Sequence, residues 1–301
     1  MNAKASTFGA LLFLAAPLSA QRASPVPPKT NDMFGTWSPD GKQIAFVSDR
    51  SGDAEVYIAG SDGTGTQQLT NAAGRDAHPS WHPDGTMVFQ SPREEGHTRI
   101  FRMNRDGSGQ RSLAATSGFC GVPFASPNGK GIAFQCSASS KEFGTDAAPW
   151  RIYLLEKGHA QPRPVTNGPG NDQVPAWSPD GRKLLFFSDR SGTNQLYELT
   201  LSSGAVRQLT QGPAAHSSAS YSPDGKRIAL MRAEPGKKAD VFVLGPGNKM
   251  VRITDSGPEF GTAMFSPDGR KLLIQLPTER GWRLHVAPAN GSGKPKAIEF
   301  R

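Results

Sequence analysis

The sequence predicts an all-β chain folded as a six-bladed β-propeller of four-stranded antiparallel blades. Three observations carry that prediction: a five-residue anchor that recurs six times, a near-constant spacing between its copies, and the same succession of short strand-like runs after each copy. The anchors are WSPDG at 37, WHPDG at 81, ASPNG at 125, WSPDG at 177, YSPDG at 221 and FSPDG at 265. Taken at the residue before the proline (Ser38, His82, Ser126, Ser178, Ser222 and Ser266), the spacings are 44, 44, 52, 44 and 44. A fixed period of this size marks one supersecondary unit used repeatedly.

Each unit supplies four strands in order. The first runs into the anchor, as in PSWH or VPAWS, and the second follows it, as in KQIAFVS, KLLFFS or KRIALM. The third carries an apolar-aromatic pair such as Val56-Tyr57 or Leu196-Tyr197, and the fourth ends in Leu69-Thr70, Val165-Thr166, Leu209-Thr210 or Ile253-Thr254. The runs are short, rich in β-branched and aromatic residues, and bounded by turn formers. DGTG at 62, DGSG at 106 and NGSG at 290 join strands three and four, with the Asp-Gly and Asn-Gly steps that tight hairpins favour. Four strands in each of six units give a propeller.

The anchor itself reads as turn chemistry. Serine bonds its own backbone, proline presets φ, and glycine takes a left-handed position. A three-residue hairpin loop closed by a glycine bulge would set Ser38 opposite Lys42 and Trp37 opposite Gln43. The aromatic before each serine is expected to pack between blades. The third unit departs from the pattern: eight extra residues lie between its second and third strands, and it holds both cysteines. The same register sets Cys120 opposite Cys136, within disulfide reach, and an oxidising compartment would join them.

The N-terminus indicates such a compartment. Lys4 followed by the apolar run FGALLFLAAPLSA reads as a cleaved secretory signal over residues 1–20, then a linker over 21–30 and the propeller over 31–301. That run is too short to cross a bilayer, so a soluble, periplasmic and monomeric product with no transmembrane segment is expected. The formal charge of +8 favours acidic partners, but the basic residues are scattered, which argues against nucleic acid.

WSPDGKQIAFVSDRSGDAEVYIAGSDGTGTQQLT (37–70) and WSPDGRKLLFFSDRSGTNQLYELTLSSGAVRQLT (177–210) resemble the TolB-like (WD40-like, PD40) propeller repeats. The resemblance covers about 31–301 and leaves out the α/β domain that precedes the propeller in TolB. It implies a periplasmic protein-binding module, with a Pal-like lipoprotein received at a channel mouth. The same repeat type occurs in propellers of prolyl-oligopeptidase-like peptidases and of polysaccharide lyases. A carbohydrate-binding or lyase-like use of the mouth, with Phe143 and Trp150 as stacking rings, is therefore the alternative.

If the strand before each anchor is innermost, its first residues line that mouth. Asp32, Asp76, Cys120, Asp172, His216 and Phe260 stand six residues before their anchors, and His78 lies two further on. Asp32, Asp76, His78, Asp172, His216 and Phe260 are therefore the candidate partner-binding set. Three aspartates near one axis also offer oxygen ligands to calcium, although capping of strand entrances is the commoner use, so no metal ligand and no cofactor are assigned. Asp49-Arg50 and Asp189-Arg190 read as local loop-ordering pairs. No GxSxG elbow occurs, and the six histidines fall at different phases of the repeat, so no catalytic residue is assigned.

Overall fold

The computed structural model describes residues 29–94, 97–113, 118–138, 148–255 and 261–301. The expected signal segment lies outside these residues. Six four-stranded antiparallel sheets are present, each made from one contiguous stretch: blade 1 (32–68), blade 2 (77–112), blade 3 (119–164), blade 4 (172–208), blade 5 (215–252) and blade 6 (263–297). Strands follow sequence order across every blade, and the first strands of neighbouring blades meet around the ring, so they are innermost. No helix among the described residues is long and apolar enough to cross a membrane.

Apolar residues that alternate along strands two and three fill the seams. Ala45, Val56, Ile58 and Leu69 of blade 1 meet Trp81, Met87, Phe89 and Phe101 of blade 2 in one buried cluster. The anchor aromatics lie at these seams as expected. Trp81 Nε1 donates across its seam to the Thr36 carbonyl (3.3 Å), and Trp177 Nε1 to that of Phe124 (2.8 Å). The terminal Leu-Thr also has a physical role. Thr70 Oγ1 accepts from Val56 N (2.9 Å), and Thr166, Thr210 and Thr254 accept equivalent bonds, closing the polar edge of strand three.

The anchor loop corrects the expected register by one residue. Ser38 N donates to the Gln43 carbonyl (2.9 Å) and Trp37 lies opposite Ile44, so Ser38 does not face Lys42. Ser38 Oγ accepts from Gln43 N (2.9 Å) and donates to Asp40 Oδ1 (2.6 Å), which also receives Lys42 N (3.1 Å). This network stabilises a four-residue loop. Only the HPDGT copy, one residue shorter, keeps the three-residue form, with His82 N bonded to the Thr86 carbonyl (2.8 Å).

Even so, Cys120 and Cys136 are directly opposed and bonded, because a bulge in the first strand shifts the register back. Their sequence separation of 16 residues predicts a contribution of about 3 kcal/mol through the closed loop. Reduction should lower the urea midpoint by that equivalent, measured with and without dithiothreitol. An unchanged midpoint would show that blade 3 is held by packing alone.

Candidate functional site

The first strands place two repeat positions near the axis. At the outer one, six residues before the anchor, Asp32, Asp76 and Asp172 are 4%, 0% and 0% exposed. Each meets an arginine at the far end of its own second strand: Arg50–Asp32 at 2.8 Å, Arg190–Asp172 at 2.6 Å, and Arg93–Asp76. The same arginines donate Nε to Ser48, Ser91 and Ser188 (2.9, 2.8 and 2.9 Å) and lie over the Phe46/Tyr57, Phe89/Phe101 and Phe186/Tyr197 rings. Buried carboxylates need such partners. The arginines supply the positive charge that balances these carboxylates. Among the described residues no group of three or more His, Cys, Asp or Glu is arranged to hold a metal.

Blade 3 replaces this Asp-Ser-Arg staple with the disulfide, since Cys120↔Cys136 occupies the register place of Asp32↔Ser48 and Asp172↔Ser188. Blade 5 puts His216 opposite Arg232 there, and Arg232 turns to Glu234 (2.5 Å). Phe260 and Phe143 lie outside the described residues. Trp150 is half-buried, and its carbonyl accepts from Asp172 N (2.9 Å) and Arg151 Nη1 (2.8 Å). Asp49 and Asp189 do not pair with Arg50 and Arg190, which turn to Asp32 and Asp172, but order their loops by accepting from the main chain of Asn31 (2.7 Å) and Asn171 (2.6 Å).

At the inner position, four residues before the anchor, stand Phe34, His78, Val122, Val174 and Ser218, all at positive φ between 45° and 53°. Left-handed conformations cost about 1–2 kcal/mol for residues with a Cβ, and β-branched valine is a poor occupant. The strain comes with the bulge that each residue forms in its strand. Three of these amides are held from the preceding blade: Gln275 Oε1 accepts from Phe34 N (3.1 Å), Gln90 Oε1 from Val122 N (2.9 Å) and Gln135 Oε1 from Val174 N (2.8 Å). Together with Thr262 these residues line an axial cavity of about 450 Å³. Of the expected set, His78 and His216 border it, and the rings of Phe34 and His78 sit 4.0 Å apart.

Asp32, Asp76 and Asp172 stand two residues upstream of the inner position, which His78 of the expected set occupies. Left-handed positions announce themselves through glycine or asparagine, and these carry neither. Only a register mismatch between the two hairpin ends could have revealed the bulge.

The cavity is electrically quiet. Burial, with Arg75 nearby, pushes the His78 imidazolium pKa down to about 4. Burial and Arg232 likewise bring His216 to about 4, against smaller opposing effects from the Ala214 backbone and Glu234. Both rings are neutral at neutral pH.

A third titratable group lies near Asp76. Glu55 is 1% exposed, and burial raises its pKa to about 7, assisted by the Asp76 and Asp53 carboxylates against the Thr70 hydrogen bond and Arg93. Its counterpart in blade 4 is Gln195, which accepts from Thr210 Oγ1 (2.7 Å) as Glu55 accepts from Thr70. A carboxyl with a raised folded pKa contributes fully below its unfolded pKa near 4.5, and that contribution is lost as pH rises through about 7. Glu55→Gln should therefore match the parent at pH 4 and exceed it by roughly 1–3 kcal/mol at pH 8, read from urea unfolding at both pH values. A gain independent of pH would disprove the linkage.

The family model described as "TolB beta propeller domain" matches residues 19–148 and 108–299, which takes in all six blades. The chain belongs to the TolB β-propeller family. Within that family, a "Tol-Pal system protein TolB" of Bordetella pertussis is 42% identical over 55 residues, 18% of this chain and 13% of the relative. A "Protein TolB homolog" of Chlorobium luteolum is 30% identical over 172 residues, 57% of this chain and 37% of the relative. The chain thus matches well under two thirds of the length of these curated relatives. Among solved structures, TolB from Acinetobacter baumannii superposes with a TM-score of 0.71 at 21% identity, covering 90% of this chain and 65% of that one. An oligogalacturonate lyase in complex with manganese superposes at 0.57 with 15% identity, covering 86% and 90%. Likenesses at these identities show the shared propeller fold.

Proposed function

We propose that this TolB-family propeller is an exported, non-catalytic binding module of the bacterial cell envelope that receives a Pal-like lipoprotein at the channel mouth. The observation that carries the proposal is the axial cavity. Its lining is pre-set by strained bulges held from neighbouring blades, its histidines are neutral, and the carboxylates beside it are bound to arginine. Acid–base catalysis needs a group that exchanges protons near the working pH, whereas recognition gains from a rigid, preorganised surface. The printed "Tol-Pal system" name of a family relative supports the envelope setting.

The test is binding of a purified Pal-like lipoprotein from the same organism to the 21–301 chain, measured by surface plasmon resonance. Val174→Asp places a charge in the cavity at a left-handed position that aspartate tolerates better than valine. Saturable binding, weakened at least tenfold in Val174→Asp at unchanged melting temperature, is expected. Absence of binding would overturn the proposal. So would turnover of an anionic polysaccharide that is lost in both His78→Ala and His216→Ala.

A further inference from the structure

The seam between blades 4 and 5 differs from the others at one repeat position. In strand three, the residue opposite the middle of strand two is Ile58, Leu154, Val243 or Val286 in four blades, and Arg102 in blade 2. In blade 4 it is Glu198. Its carboxylate is buried and receives three donors: Lys183 Nζ (3.1 Å), Arg207 Nη2 (3.0 Å) and, from blade 5, Tyr221 Oη (2.5 Å). Burial alone would raise its pKa, but these donors outweigh it and hold the group below the ordinary range, so it is ionised at neutral pH. One acid thus orients two cations, and the Arg207 side chain is still 69% exposed.

Glu198, Arg207 and Tyr221 form the wall of an open cleft of about 580 Å³ on the anchor-loop side of the ring, lined entirely by described residues, whereas Lys183 does not line it. Lys226 adds a second positive charge to the lining beside the single acid. Gln208, Gln211 and Asn248 supply neutral amides, and Leu209, Ile228 and Leu244 an apolar strip. A guanidinium with unused N–H groups beside an ammonium recognises a carboxylate. Amides with an adjoining apolar strip suit hydroxyls set around a ring of C–H groups, and the volume exceeds what an inorganic anion fills.

We infer that this cleft binds a short carboxylated saccharide, with its carboxylate on Arg207 and Lys226 and its hydroxyls on the amides. The site is separate from the channel mouth, so its fate does not depend on the lipoprotein reading.

The competing explanation is that the Glu198 group only fastens the seam. Replacement by the aliphatic residue found at this position in blade 3, Glu198→Leu, separates the two. A binding cleft loses its oriented arginine with little loss of stability, because the Lys183 and Arg207 side chains are 39% and 69% exposed and water can take the carboxylate's place. A fastening group loses stability instead.

Calorimetric titration of the 21–301 chain with trigalacturonate, its methyl ester and inorganic phosphate tests the inference. Saturable binding of trigalacturonate alone is expected, at least tenfold weaker in Arg207→Gln, Lys226→Gln and Glu198→Leu, with the melting temperature of Glu198→Leu unchanged. No binding, equal binding of the ester, binding of phosphate alone, or a Glu198→Leu chain that melts lower yet binds normally would overturn it.

Discussion

Removing residues 298–301 should lower stability by about 3 kcal/mol. Among the described residues every blade is built from contiguous chain, and no strand from one terminus completes a blade at the other. The C-terminal tail performs part of that task. Ile298 is buried beneath blade 1, and Phe300 stacks on Phe46 with ring centroids 3.9 Å apart. Thr66 N donates to the Arg301 carbonyl and Arg301 N to that of Gly63, both at 2.8 Å. Gly63 has positive φ, and a Cβ there would strike the Glu299 carbonyl, so the fit is close. Burial of the isoleucine contributes about 2 kcal/mol, the stacked ring about 1 beyond its area, and each backbone bond about 1. Ordering the tail offsets part of this. The truncated chain should melt roughly 6–12 °C lower, measured calorimetrically, whereas Arg301→Ala, which keeps both backbone bonds, should melt with the parent. A truncation that melts normally would show that the other contacts across this seam, among them Gln275 to Phe34, Trp282 N to Asn31 Oδ1 and Arg283 to Thr30, close the ring unaided.

Blade number, strand order and the disulfide were legible in the sequence because each rests on a periodic signal. Anchor phase counts the blades, and two cysteines at matching distances from one anchor must face each other if the hairpin is regular. The hairpin is not regular. The loop is one residue longer than expected, the bulge at Val122 takes that residue back, and the two departures cancel at Cys120. At the candidate site they do not cancel in meaning. The aspartates that looked like mouth residues are buried against arginines, and the left-handed residues among those that line the cavity are a phenylalanine, a histidine, two valines and a serine with no common chemistry. Local propensity disfavours each of these conformations, so only the tertiary structure reveals them.

The same comparison of blades yields the second large effect. Asp172→Ala should cost about 3–5 kcal/mol, because it leaves the buried charge of Arg190 without its partner. The Asp172 side chain is fully buried and that of Arg190 is 16% exposed, so water cannot readily take the carboxylate's place. Arg190 would keep only Ser188 Oγ and its stacking on Phe186 and Tyr197, with the guanidinium 5.3 and 5.1 Å from the ring centroids. The pair as a whole is worth less than that penalty. Blade 3 has the cysteine bridge and Ala138 at the corresponding places and needs neither charge. Asp172→Ala combined with Arg190→Ala should therefore cost clearly less than the sum of the single changes, with a coupling of about 2 kcal/mol in a double-mutant cycle of urea midpoints. The coupling should persist in 1 M sodium chloride, since buried pairs are weakly screened. Additive costs, or a coupling that salt abolishes, would place the pair at the solvent surface and would reopen these aspartates to direct contact with a partner at the mouth.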